Sequence, residues 1–238
     1  MAAGLALGPR LRAIADQVPP ECRRLADIGT DHGYIPAELL LAGRIDLAVA
    51  ADIRREPLDH ARRTAERWGV QDRVDFRLGD GLAVLSPGEA DCVVIAGMGG
   101  DAIAAILSAA PWVREDGTCL LLQPMSKAET LRAFLPQGGY RVDGERLAAD
   151  KGVLYPILTV RGGAMSPASP AQAWGGFLLE EDPLWGLYLQ DRLLRLRKAA
   201  AGLALARDPS AALRRQELLD VIGGLTGWKE AWEHAHRT

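Results

Sequence analysis

Cysteine and histidine are scarce in this chain, with three and four residues among 238. Cys22, Cys92 and Cys119 are odd in number, widely spaced and set in or beside apolar segments, which argues against a disulfide framework or a zinc site and suits buried free thiols. The histidines show no ligand spacing, so no metal is expected. Long apolar runs are missing too. Nothing approaches the ~20 residues that cross a bilayer, and the opening MAAGLALGPR lacks the basic start and apolar stretch of a secretory leader. The expectation is a cytoplasmic protein with no membrane association.

The hydrophobic share is 48%, enough for one large α/β domain with a small appendage. The net charge of -3 hides a gradient: residues 191–238 carry nine Lys/Arg against six Asp/Glu, leaving the acidic excess to the rest of the chain. On charge alone the basic end reads as a solvated helical face, and it also permits an RNA partner.

Five short apolar runs read as buried parallel strands: LADI (25–28), LAVAAD (47–52), VDFRL (74–78), CVVIAG (92–97) and TCLLLQ (118–123). Helical stretches separate them, PAELLLAG, PLDHARRTAERWG ending at Gly69, and DAIAAILSAAP ending before Pro111, with a further helix around Lys127–Leu135. Strands alternating with helices predict right-handed crossovers and a doubly wound, Rossmann-like sheet. YRVDGERLAA (140–149) and VLYPILTV (153–160) are joined by Asp150, Lys151 and Gly152, too short for a crossover, so they should close the sheet as an antiparallel hairpin. RGGAMSPASPAQAWGG (161–176) has no apolar period and reads as a linker. Beyond it, 183–206 carries Leu184, Leu187, Tyr188, Leu194 and Leu203 at helical spacing, and a second helix follows the Asp208-Pro209 break, predicting a coiled-coil-like hairpin. The expected division is residues 1–164 and 165–238.

ADIGTDHGYIPAE (26–38) then falls between the first strand and first helix, where open α/β sheets bind ligands. Asp31 stands where a dinucleotide motif has its second glycine, and its charge would repel a pyrophosphate, so a nucleotide without phosphates is expected. Asp27 ends strand one, placed to meet an ammonium. Asp52 ends strand two, placed to accept from ribose hydroxyls. Asp80, in LGDGL after strand three, is placed to accept from an adenine amino group, with the Gly81 amide nearby for a ring nitrogen. Each alone is an ordinary cap or turn aspartate. Together they describe amine, ribose and adenine, a set that S-adenosyl-L-methionine fits.

AGMGG (96–100) follows strand four. Its glycines serve a strand-to-helix turn at positive φ, and the same bare backbone lets a flat base approach closely. Proline-rich motifs of the Asn-Pro-Pro-Tyr kind, common in enzymes that methylate exocyclic amines, are absent, which favours a ring nitrogen as methyl acceptor.

DIGTDHGYIP (27–36), DI..EPLDHA (52–61), RLGDGL (77–82), IAGMGGDAI (95–103), LLQPM (121–125) and Tyr155-Pro156-Ile157 resemble, in order, the bacterial tRNA (adenine-N1)-methyltransferases that act on adenine 22, the TrmK family. The resemblance runs from about Pro9 to Val160; the C-terminal helices are similar in layout more than in sequence. Asp52 stands where relatives often have Glu, and Glu56 where they commonly have Gly.

The resemblance implies methyl transfer from S-adenosyl-L-methionine to adenine N1 in a tRNA. Asp27, Gly29, Gly33, Asp52, Ile53, Asp80, Gly81, Ala96, Gly97 and Met98 would face the cofactor, Gly99, Gly100, Arg192 and Arg195 the tRNA. Asp31 is the candidate to stabilise the cationic product. Tyr34 is a candidate to stack on the extracted base and His32 to bond it or a phosphate, against plain loop and helix-start roles for both. Arg54 and Arg55 read more simply as solvated helix-start residues. A small-molecule methyltransferase is the alternative reading, ahead of a nicotinamide oxidoreductase and a non-catalytic RNA-binding module. The oligomeric state is left open, a monomer being compatible with the sequence.

Overall fold

The structure, a computed structural model, describes residues 5–206 and 208–236. The outermost residues of the two expected domains, 1–4 and 237–238, lie outside that range. Seven strands form one sheet: β1 (Arg24–Ile28), β2 (Leu47–Asp52), β3 (Val74–Leu78), β4 (Cys92–Gly99), β5 (Cys119–Ser126), β6 (Tyr140–Asp150) and β7 (Val153–Gly162). Their order is β3-β2-β1-β4-β5-β7-β6, with β1 to β5 parallel and β7 antiparallel to both its neighbours. The doubly wound sheet and its closing hairpin are present.

Strand alternation divides the interior in two. Val93, Ile95, Leu120 and Leu122 face one core with α4 (Gly100–Ala109) and α5 (Ala128–Gln137), which contribute Ile103, Leu107, Leu131 and Leu135. Cys92, Val94, Cys119 and Leu121 face the other, with α1 (Pro9–Gln17), α2 (Tyr34–Leu41) and α3 (Arg55–Trp68). Burial on both faces is why these strands read as continuous apolar runs. The three cysteines are free and buried. Among the described residues, no helix is long and apolar enough to cross a membrane.

Three features differ from the sequence reading. Helix α1 was not expected; it starts with Pro at its first turn, where a missing N–H costs nothing. The linker contains α6 (Pro170–Gly175), begun by a capping box in which Ser169 and Gln172 satisfy each other's backbone amides. On α7 (Trp185–Ala204), Leu187 and Leu194 are exposed, while Trp185, Tyr188, Leu189, Leu193 and Leu196 form the buried stripe. The stripe is shifted because α7 packs at once on the sheet hairpin's Leu147 and on α8 (Ala211–Ala235). The expected helical hairpin forms: Gly186 at the start of α7 lies against Trp232 near the end of α8, so the helices run antiparallel.

Arg132 of α5 and Glu145 of β6 bind this tail to the sheet. Both side chains are fully buried. Arg132 Nε donates to Glu145 Oε1 at 2.7 Å, and Nη1 donates to Ala173 O at 2.9 Å and to the Tyr188 hydroxyl at 3.2 Å. Glu145 Oε2 accepts from Phe177 N at 2.7 Å. Burial works against the Arg132 charge, but Glu145 and Tyr188 together outweigh it and the guanidinium pKa is raised. Removing one partner leaves a buried charge unpaired, so Glu145→Ala is expected to lower unfolding stability by about 3 to 5 kcal/mol. Combining Glu145→Leu with Arg132→Met should recover much of the loss. Denaturant melts showing the single variant as stable as the parent would mean the pair does not hold the tail.

Candidate active site

Chain order reverses between β1 and β4, and a cavity of about 380 Å³ opens there at the carboxyl ends of the strands. It brings together Asp27, Gly29, Asp31, His32, Gly33, Tyr34, Asp52, Ala96, Gly97 and Met98. Asp27 and Asp52 stand at neighbouring strand ends, 7% and 8% exposed. Asp27 Oδ2 accepts from the Thr30 hydroxyl at 2.6 Å, and Asp52 Oδ1 from the Arg54 amide at 2.8 Å. Burial pushes the Asp27 carboxyl up to about 6; the Thr30 bond pulls against this and the Asp52 charge adds to it.

Glycine is needed at two points around these acids. Gly29 has φ 77°, in the left-handed region that favours glycine, and a Cβ there would lie 2.1 Å from Met98 Cε, so a side chain would also displace the end of Met98. Gly97 has φ 80° where the β4–β5 pairing shifts register, a bulge that bends the end of β4. Gly100 is buried, and a Cβ on it would meet the Lys127 carbonyl oxygen at 2.1 Å. Close packing accounts for Gly100, against the expectation that it faces tRNA. Gly99 does not line the cavity either; a Cβ there would meet the Asp101 carboxylate.

Other expected residues stand apart. Ile53 is 62% exposed and outside the cavity lining. Asp80 is exposed just beyond β3, next to Gly81 at φ 52°, so it lies on the third adjacent strand end but off the cavity. Arg192 and Arg195 line a second cavity of about 380 Å³, together with Lys127, Tyr155 and Trp174, and this one shares Met125 with the first. Both arginines pair with Asp191, and Arg192 lies 4.9 Å over the Tyr188 ring. Arg197 faces another way, beside Thr226 and Lys229 of α8.

Sequence reasoning missed Arg10 and His60. Arg10 of α1 lines the cleft and donates to the buried Gln123 amide oxygen at 2.5 Å, which ties α1 to the end of β5. Pro9 starting a helix was the available signal. His60 of α3 lies behind the loop, its ring centroid 4.8 Å from that of His32. Asp31, His32 and His60 have donor atoms within 4.8 Å of one another. The two imidazole planes are parallel within 6°, so their lone pairs run side by side instead of converging on one ion. The side chains of Asp31 and His32 are 74% and 41% exposed, open to a substrate.

The raised Asp27 value makes a stability prediction for the free protein. Its folded pKa of about 6 lies above the ordinary 3.8, so the ionised form is a cost that is absent below about pH 4 and complete above about pH 6. Asp27→Asn should therefore stabilise the free protein by up to about 3 kcal/mol at pH 7 to 8, with no gain at pH 4. A gain independent of pH would show that Asp27 is not held ionised against burial.

A methyltransferase-domain family matches residues 7–158. The Bacillus subtilis (strain 168) protein tRNA (adenine(22)-N(1))-methyltransferase is 34% identical over 183 residues, 74% of this chain and 76% of that one. The crystal structure of the B. subtilis m1A22 tRNA methyltransferase TrmK has a TM-score of 0.83 at 28% identity, covering 94% of this chain and 99% of the other. Streptococcus pneumoniae Sp1610, solved in complex with S-adenosyl-L-methionine, has a TM-score of 0.80 at 28% identity, over 94% and 100%. By sequence and by fold, this chain belongs to the tRNA (adenine(22)-N(1))-methyltransferase family.

Proposed function

We propose that this protein transfers a methyl group from S-adenosyl-L-methionine to N1 of an adenine in tRNA, adenine 22 being the position in the B. subtilis relative's name. The observation that carries the reading is the buried Asp27 carboxylate beside Asp52, two nearly enclosed acids in a cleft open to solvent. Such a site favours an amine with neutral hydroxyls over any phosphate. Asp27 would bind the ammonium and Asp52 would accept from the ribose hydroxyls, with its Oδ1 already oriented by the Arg54 amide. A cofactor reaching beyond the cavity along the strand ends would place its adenine by Asp80 and Gly81, with the exposed Ile53 flanking it. Ala96, Gly97 and Met98 would line the methionine portion, with Gly29 and Gly33 shaping the loop above.

The bound sulfonium supplies an activated methyl, which passes to the N1 lone pair and leaves the positive charge on the base. N1 is unprotonated at neutral pH, so the protein's task is placement more than proton removal. Asp31 would accept from the exocyclic amine and offset the developing charge. Tyr34 would stack on the base, and His32 would bond it or a phosphate. The chemistry calls for no metal. Residues 1–164 would hold the cofactor and receive the base, while 165–238 grip the tRNA body in the cytoplasm. Incubation with bulk tRNA and labelled cofactor, followed by nucleoside mass analysis, should yield N1-methyladenosine; label appearing only in small molecules would overturn the reading.

Two variants separate the roles. Asp52→Ala should weaken cofactor binding by about 1.5 to 3 kcal/mol, the range for a hydrogen bond to a charged group. Asp31→Asn should leave that affinity nearly intact and lower turnover strongly; equal loss of both quantities would make Asp31 a cofactor ligand instead.

On the tail, the exposed Arg195 and the adjoining Arg192 face the cavity that continues from the cleft past Met125. Arg197 points elsewhere, so a contribution from it is not expected. Arg192→Gln with Arg195→Gln should raise KM for tRNA and flatten its salt dependence without changing cofactor affinity. An unchanged salt slope would assign both residues to Asp191 alone.

A further inference from the structure

We infer that His60 is a positioning residue that sets the base-stacking edge of the cleft, a role resting on the proposed methylation of an extruded adenine. Three rings from three elements stand in one stack. His60 of α3 lies 4.8 Å from His32 with planes 6° apart, and His32 lies 5.1 Å from Tyr34, the first residue of α2, with planes 9° apart. His32 and Tyr34 line the cavity; His60 does not. It is the inner end of the stack, and Tyr34 the outer.

The loop that carries His32 needs such support. It turns at Gly29 and Gly33, both in the left-handed region with φ 77° and 63°, and glycine leaves a backbone with more accessible conformations than any other residue. Gly33 rests directly on α3, where a Cβ would approach the Ala61 Cβ to 3.0 Å. Ala61 and His60 are therefore adjacent parts of one bed, the first under the loop backbone and the second under the His32 ring.

The imidazole of His60 contributes its face more than its nitrogens. Its Nδ1 is buried and has no hydrogen-bond partner among the described residues. A side chain that only filled space would avoid that unpaired atom. With His32 clamped between two rings, the plane of Tyr34 is fixed before substrate arrives. A flat base laid on Tyr34 would extend the stack by one ring. The ordering of two exposed side chains would then be complete in the free protein instead of being imposed by each tRNA.

The test uses the full chain, with His60→Leu to fill the site without an aromatic face and His60→Phe to restore one. His60→Leu should lower kcat/KM for tRNA about tenfold, mostly through KM. The dissociation constant for S-adenosyl-L-methionine, measured by calorimetry, should stay within about twofold of the parent. His60→Phe should recover most of the activity. With 2-aminopurine at the target position of the tRNA, quenching on binding should be strong for the parent and the Phe variant and weak for the Leu variant. Parental kcat/KM or quenching in His60→Leu, failure of Phe to rescue, or a parallel loss of cofactor binding would each overturn the role of His60. Absence of tRNA methylation by the parent protein would instead remove the reading on which that role rests.

Discussion

A carboxylate enclosed by protein with no cation beside it is costly, and the sheet itself holds Asp27 in that condition. Asp27 is in register with Ala50 of β2 and Val94 of β4, so its backbone is held at the centre of the sheet. Asp52, one strand away, adds repulsion, and the Thr30 hydroxyl compensates only in part. In the proposed reading, a cationic amine entering the cleft would remove this cost. Two features border that cleft: the left-handed Gly29 beside Met98, and the register shift at Gly97 near the end of β4.

A second constraint joins the tail to this site. The β6–β7 hairpin gives the sheet an outer face for the helices, and the Arg132–Glu145 pair ties α5, β6, α6 and α7 at a single buried point. The same arrangement sets the wall of the second cavity. Lys127, at φ 54°, turns the chain from β5 into α5, and its carbonyl seats on Gly100 while its ammonium reaches Asp101 at 2.5 Å. A non-glycine residue in that conformation carries strain, and here it lines the second cavity. The cleft and the cavity that Arg192 and Arg195 of α7 line thus adjoin, with Met125 common to both.

The sheet was legible because strands buried on both faces leave unbroken apolar runs such as CVVI and LLL, and because Asp27 and Asp52 end two of those runs. The glycine motifs also marked the cleft, though sequence did not separate Gly97, bent at the opening, from Gly100, packed under Lys127. Helix α6 was hidden among Gly, Ser and Pro despite the Ser169-x-x-Gln172 signature that starts it. The stripe on α7 was misread through Leu187 and Leu194, since it must serve two neighbours and neither was visible in the helix's own period. His60, and Arg10 beyond the helix start that Pro9 marks, were hidden for a similar reason. Their roles come from what stands beside them, His32 in one case and Gln123 in the other, across long stretches of chain.

The account depends on a buried acid that must be ionised to receive an amine, and proton counting addresses that directly. Calorimetry of S-adenosyl-L-methionine binding at pH 6, in two buffers of different ionisation enthalpy, should show release of about half a proton from Asp27, falling to about a tenth at pH 7. Binding at pH 6 with no proton released would contradict the account, because the ligand would then be bound without calling on the Asp27 carboxylate.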